Sequence, residues 1–151
     1  WSTNPKKGFD VYKKFDDWCK DKNISFHYIG QLPQGVEFNN RTKPISAEDL
    51  SLELPKYDIY LTASKEEAGA NHVLEAMAAG LPVVYRKSGG SIHNYCNYYG
   101  EEYSEFEGMI EKVSKVIDNY PTYKKKVLEY TKTNNFVVDE YYRIIGQVHE
   151  S

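Results

Sequence analysis

Glu67 and Glu75 are the residues of this 151-residue chain whose type and spacing point most directly to chemistry. Seven residues separate them, in a run from Ser64 to Val84 that reads as a strand end, a polar loop, a helix, a glycine stop and a second strand. Such a loop lies at the carboxyl edge of a parallel sheet, where open α/β folds bind their ligands. Glu75 stands beside Ala76, Met77, Ala78, Ala79 and Gly80, all small or apolar. An acid in that company faces either a cleft or a partner. Two solvated acids, one in a loop and one on a helix, are the alternative. The helix opening at Gly69, Ala70, Asn71 and His72 offers unpaired backbone N–H groups and a positive dipole end, which suit a phosphate. It is otherwise an ordinary helix start capped by Asn71. Lys6 and Lys7, ahead of the first helix, supply compact cations for a phosphate or form a solvated surface pair. Gly89 and Gly90 let a backbone approach a ligand closely, or simply turn the chain.

Other chemistries lack their motifs. His27, His72, His93 and His149 show no metal-ligand spacing, and the sequence has no HExxH and no Cys/His cluster. A G-x-S-x-G elbow, a P-loop and a G-x-G-x-x-G after a strand are all missing, which argues against a serine hydrolase, a P-loop NTPase and an NAD enzyme.

The elements that must position these residues follow from periodicity. Gly8 to Lys20 reads as a helix with Val11, Phe15 and Trp18 on one face and Tyr12 and Cys19 beside them. Ile24 to Ile29 reads as a strand stopped by Gly30. Gln31 to Ile45 is a polar connection whose length suggests a functional loop. Ser46, with Asp49 three positions on, opens a helix through a capping box. Ile45 and Leu50 form a hydrophobic staple across it, and Pro55 ends it. Asp58 to Thr62 is a strand, Asn71 to Ala79 a helix stopped by Gly80, and Val83 to Arg86 a strand entered through Pro82. A weak strand follows at Glu101 to Tyr103. Ser104 and Glu107 suggest a second capping box, ahead of a stripe of Phe106, Met109, Ile110, Val113 and Ile117. Helices are expected at Tyr123 to Thr131 and at Asn135 to Glu150. The last carries Val137, Tyr141, Ile144, Ile145 and Val148 on one face, and such an exposed stripe would favour self-association. Alternating strands and helices imply a parallel, doubly wound sheet. The visible strands are few for that architecture, so a first strand is expected just ahead of Trp1.

Length and composition bound the partners. The chain suffices for one domain with a single core. Its formal net charge of −3 comes from mixed acids and bases, with no basic block to neutralise a nucleic acid. No apolar run reaches the length of a transmembrane helix. Cys19 and Cys96 are too few and too far apart for a disulfide framework, so a reducing, cytoplasmic setting is expected. The start at Trp1, without Met or a signal peptide, suggests a fragment. The 14 tyrosines supply apolar area with a polar tip, for packing or for stacking on sugars.

These residues together resemble the carboxyl-terminal, donor-binding domain of retaining nucleotide-sugar glycosyltransferases of the GT-B fold, group 1 type. Glu67 and Glu75 match the E-x7-E motif. Trp1-Ser2 with Lys7-Gly8-Phe9-Asp10 is similar to the first loop and helix, and Tyr28-Ile29-Gly30 to the glycine-ended second strand. Asp58 to Ser64 resembles the strand into the motif, and Ser88-Gly89-Gly90 the loop after it. The resemblance runs from Trp1 to about Tyr103. It implies an α/β, Rossmann-like parallel sheet flanked by helices, forming one half of a GT-B fold, with a helical tail. Residues 1–151 would be the donor domain, and the acceptor-binding amino-terminal domain would be absent from this chain.

The resemblance also implies roles. Glu75 would accept hydrogen bonds from the donor ribose, since a carboxylate suits a vicinal diol. Glu67 would lie near the transferred hexose. Backbone around Gly69, Ala70, Asn71 and His72, with Gly89 and Gly90, would hold the phosphates. Lys7 would offset charge growing on the leaving pyrophosphate. Tyr28, Gly30 and the stretch from Lys43 to Ser46 would border the base. The donor would be a nucleoside-diphosphate sugar of UDP or GDP type, with no cofactor and no metal. The acceptor would be a sugar, lipid or protein glycan held by the missing domain, with the product serving glycan biosynthesis. Alone, the chain is expected to bind nucleotide weakly and transfer nothing.

The sequence departs from the family pattern at several positions. Ala70 stands where a glycine is usual, with Gly69 one residue earlier. Trp1 stands where an arginine is common, with Lys6 the nearest substitute cation. His93 stands where an acid is frequent, and Glu66 offers an alternative register for Glu67. A non-catalytic sugar-nucleotide module is therefore the competing reading. A tyrosine-rich carbohydrate-binding domain is a third, and it leaves the glycine loops without a purpose.

Overall fold

A computed structural model describes residues 3–67 and 71–130. The chain opens with a single 3₁₀ turn, Pro5–Lys7, capped by the Asn4 side chain on the Lys6 amide. Gly8, at φ 77°, ends that turn and begins helix α1 (Phe9–Cys19). Its Cβ-free backbone lies against Ala63, so the joint is both left-handed and tightly packed. α1 buries Phe9, Val11, Tyr12, Phe15, Asp16 and Cys19, with Trp18 half-buried beside them. Asp16 is held by the Asn39 amide at 3.0 Å, which pins the long polar connection onto the helix.

The strands form two parallel sheets. In one, β1 (Tyr28–Ile29) pairs with β2 (Arg41–Thr42), Tyr28 opposite Arg41. In the other, β3 (Tyr60–Thr62), β4 (Val83–Arg86) and β5 (Gly100–Tyr103) lie in sequential order, with Val84 between Leu61 and Glu101. Residues of β4 point alternately to two buried layers. Val84 meets α1 and helix α5 (Phe106–Asp118) in one cluster. Val83 and Tyr85 meet helix α3 (Asn71–Ala78), helix α4 (Ile92–Cys96) and helix α6 (Tyr120–Leu128) in the other. A strand covered on both faces reads as a continuous apolar run, which Val83-Val84-Tyr85 does. The chain is thus α/β, with parallel sheets flanked by helices.

The expected elements mostly form, with corrections that have physical reasons. Of the strand expected at Ile24 to Ile29, only its last two residues pair, because their partner β2 is itself two residues long. β2 lies inside the stretch read as a connection; its polar sequence carries no alternation because it is an edge strand. Of the capping box at Ser46 one half forms, the Ser46 hydroxyl accepting from the Asp49 amide at 3.0 Å, and it opens helix α2 (Ala47–Glu53). The one expected at Ser104 does not form. α5 starts a residue later, with Glu105 as its cap and no side-chain bond there. That start buries Val116, and Ile117 is 42% exposed. α4 was missed, being five residues with a mixed face. α6 starts at Tyr120, earlier than expected, because Pro121 suits a first helical turn. The helix expected at Asn135 to Glu150 lies outside the described residues.

Candidate functional site

The carboxyl ends of β3 and β4 converge on Glu67. Beyond Thr62 the chain is held from both sides by backbone bonds. The Lys65 amide donates to the Lys6 carbonyl at 2.7 Å, Glu66 to Ser88 at 2.8 Å and Glu67 to Gly89 at 3.2 Å. The Ser91 amide and hydroxyl both donate to the Glu67 carbonyl at 3.0 Å. Glu67 and Gly90 form an isolated parallel bridge. Gly90, at φ 70°, packs its Cα onto the Glu67 backbone where any side chain would collide. Gly89 and Gly90 are thus braces for Glu67, and neither lines the cleft described below.

The Glu67 carboxylate is mostly buried and ion-paired to the Lys7 ammonium. Burial alone would hold its proton on. The Lys7 bond and charge, with His72 and Ser64 beside it, outweigh burial and carry the carboxyl below the ordinary glutamate range. A lowered carboxyl pKa stabilises the fold above the unfolded value, and that contribution is lost as pH falls through the folded value. Lys7→Ala would leave burial opposed only by His72 and Ser64. We expect the Glu67 carboxyl to titrate above the usual glutamate range in that variant, read from its side-chain carbon shifts, with a lower thermal midpoint at neutral pH. Lys6 pairs with exposed Glu66 instead, so the outer pair does not substitute for the inner one.

His72 sits in the first turn of α3. Its Nδ1 lies 2.9 Å from the Tyr60 hydroxyl, and its Nε2 is buried without a hydrogen bond, 3.7 Å from Glu67 Oε1. Burial and the nearby Lys7 charge push its pKa down to about 4 against the pull of Glu67, so the ring is neutral at pH 7. A neutral imidazole carries one donor and one acceptor, and Tyr60 satisfies either role at Nδ1. Nε2 is left to donate to a ligand or accept from one. The unfolded chain binds this proton near pH 6.5 and the folded chain only near 4, so acidification through that window destabilises the fold. His72→Gln is expected to flatten the loss of thermal midpoint between about pH 6.5 and 4, measured by calorimetry at closely spaced pH.

Glu75 lies one turn further along α3. It is half-buried, its carboxylate makes no hydrogen bond or ion pair among the described residues, and burial alone raises its carboxyl above the ordinary range. Lys7, Tyr28, Tyr60, Glu67, Asn71, His72 and Glu75 all line one cleft of about 1150 Å³. The sequence therefore named six residues that share a wall. Tyr60, which orients His72, was missed; its only signal is its place on the strand that leads into the motif. Gly30 lies at the carboxyl end of β1 and does not line the cleft. Its carbonyl accepts from Arg41. Of the stretch from Lys43 to Ser46, only Ile45 lines it. Gly69 and Ala70 lie outside the described residues.

A paired cation and acid, a neutral imidazole and an unpartnered acid around a helix start can bind a polar anionic ligand with hydroxyl groups. Among the described residues, no group of three or more His, Cys, Asp or Glu is placed to hold a metal ion. No described helix is long and apolar enough to cross a membrane.

Comparison with known proteins adds the family. The family described as "Glycosyl transferases group 1" matches residues 12–119. Comparison with curated proteins gives no match. Among solved structures, that of WaaG, a glycosyltransferase involved in lipopolysaccharide biosynthesis, is similar, with a TM-score of 0.68 and 21% identity. The match covers 85% of this chain and 40% of WaaG, so the chain spans less than half the length of that protein. At that identity the likeness is one of fold, to half of a GT-B enzyme.

Proposed function

This chain belongs to the group 1 glycosyl transferases, and from that premise we propose that it is the donor-binding domain of an enzyme transferring a sugar, with retention, from a nucleoside-diphosphate sugar. The observation that carries the reading is the shared wall of Lys7, Glu67, His72 and Glu75. The Glu75 carboxylate, without a partner among the described residues and costly to bury charged, is suited to the ribose hydroxyls, which would supply the donors it lacks. Asn71 and the first turn of α3 would receive the diphosphate on backbone N–H groups. Lys7 would shift from Glu67 toward the leaving phosphate as negative charge grows there. Glu67 and His72 Nε2 would face the hexose. Tyr28 and Ile45 would border the base.

In this reading the leaving phosphate and the incoming hydroxyl meet on one face of the sugar, and the phosphate takes the acceptor's proton. Glu67 is then not a covalent nucleophile of the kind glycosidases use. The opposite wall, which would seat a sugar, lipid or protein-glycan acceptor, is assigned to an amino-terminal domain outside this chain. Sites between domains need both walls, so the isolated chain should bind nucleotide weakly and transfer nothing. The test is calorimetric titration of the chain with UDP and with GDP. Binding of one of them, weakened by Glu75→Ala, supports the reading. No binding of either, or binding indifferent to Glu75, removes it.

A further inference from the structure

The hydroxyl of Tyr60 and the ring of His72 share one hydrogen bond, and its direction decides where the imidazole keeps its proton. Tyr60 lies in β3, half-buried and packed against the second cluster, with its ring centroid 5.9 Å from that of His72. Val73 and Met77 of α3 belong to the same cluster, so strand and helix hold hydroxyl and ring in register. The hydroxyl stands 2.9 Å from His72 Nδ1 and makes no other hydrogen bond among the described residues. Burial first, with Tyr12 and Glu75 nearby, keeps this phenol protonated, well above the ordinary tyrosine range. A buried O–H without an acceptor is costly, and Nδ1 is the acceptor within reach. The bond made by one ring nitrogen sets which nitrogen is protonated. A neutral His72 whose Nδ1 accepts therefore carries its proton on Nε2.

The other side of the ring leads independently to the same assignment. Nε2 is buried, has no hydrogen bond among the described residues and lies 3.7 Å from Glu67 Oε1. A lone pair there would face a carboxylate oxygen, whereas an N–H is attracted to it. The Lys7 ammonium bonds that same Oε1. Lys7 and His72 thus converge on one oxygen. Lys7 is in contact with it, and His72 waits about 0.7 Å beyond the usual N–H···O separation.

We infer that Tyr60 is a positioning residue: its hydroxyl donates to His72 Nδ1, places the ring proton on Nε2 and makes His72 a second donor to Glu67, poised behind Lys7. The arrangement is a relay of three side chains from β3, through the first turn of α3, to the loop beyond β3. Its use in catalysis rests on the donor-site reading. A phosphate that claims Lys7 leaves Glu67 with a donor already aimed at it, so the carboxylate keeps its orientation toward the sugar.

The test needs no nucleotide, so its failure leaves the donor-site reading to its own titration. The imidazole nitrogens of the isotope-labelled chain are read at pH 7 by long-range proton–nitrogen correlation, with His72→Gln identifying the signals of His72. The unaltered chain should show a protonated Nε2 and a bare Nδ1, displaced from the position of a free ring nitrogen by the bond it accepts. Tyr60→Phe should return Nδ1 toward that free position and let the other tautomer appear. Lys7→Ala should let the Nε2 proton close on Glu67, moving it downfield and slowing its exchange with water by about tenfold. Lys6→Ala, which removes the outer cation, should do neither. A Tyr60 that only fills space would change the thermal midpoint and leave both nitrogen signals in place. A proton on Nδ1 in the unaltered chain, an Nδ1 signal indifferent to Tyr60→Phe, or an Nε2 proton indifferent to Lys7→Ala overturns the inference. Should Tyr60→Phe fail to fold, the unaltered chain and Lys7→Ala still decide, since both keep Tyr60.

Discussion

Glu75→Ala is expected to weaken nucleoside diphosphate binding by about ten- to a hundredfold, about 1.4–2.8 kcal/mol, while leaving the chain as stable as before or more so. The first half follows from the diol. Hydrogen bonds to a charged group contribute about 1.5–3 kcal/mol each, and the vicinal hydroxyls of a ribose offer two donors to one carboxylate. The second half follows from the unliganded chain, in which Glu75 is half-buried, its carboxylate has no partner among the described residues, and burial raises its pKa. A raised carboxyl pKa means the folded chain binds this proton more tightly than the unfolded one. Stability is then gained as pH falls through the folded value, the reverse of the Glu67 contribution. Glu75→Gln removes that charge at nearly constant shape and should raise the thermal midpoint while lowering affinity. Calorimetric titration with UDP and GDP reads the affinity, and a thermal scan of the unliganded variants reads the stability. A fall in midpoint for Glu75→Gln would mean that the acid serves the fold, and unchanged affinity in Glu75→Ala would mean that it serves no ribose.

The largest loss of stability is expected from Gly8→Ala. A Cβ there would stand 2.5 Å from the Ala63 carbonyl oxygen and 2.7 Å from the Ala63 Cβ, on a backbone held at φ 77°. Neither neighbour is a flexible side-chain tip, so strand and helix must part. The loss should be about 3 kcal/mol or more, lowering the thermal midpoint by about 6–12 °C. Gly35→Ala separates the two causes. Gly35 has φ 81° with nothing within 4 Å of a built Cβ, so it carries strain without collision and should cost about 1 kcal/mol. Gly8 also sets Lys7 against Glu67, and its substitution should weaken nucleotide binding as well. Equal midpoints for the two variants would refute the role given to the Gly8–Ala63 contact.

Elements with strong local signals were legible in the sequence. Val83 to Arg86, buried on both faces, forms over the very residues expected, and so does the start of α3 at Asn71. Ser46 was legible because its cap is a local bond between residues three apart. Ser104 carries the same pattern without the bond, because the helix phase was set by which residues meet the sheet. β2 was hidden because two polar residues on an edge carry no period. The wall shared by Lys7, Glu67, His72 and Glu75 was legible as types and spacing. The division of labour within it was not. That Lys7 pairs with Glu67 while Lys6 pairs with Glu66, and that Tyr60 holds His72, are facts of packing between segments about 60 or 12 residues apart.

The ion pair of Lys7 with Glu67 has a consequence for the heat of binding. A diphosphate that draws Lys7 away leaves a mostly buried carboxylate without its cation, next to an imidazole whose pKa burial first, and the same lysine second, had held down. Both groups then hold a proton more strongly than before. Association should take up protons from the medium, in an amount that grows on going from pH 7 toward pH 6. The apparent enthalpy would consequently differ between phosphate and Tris solutions in proportion to the ionisation heats of those buffers, and Lys7→Ala should erase the difference.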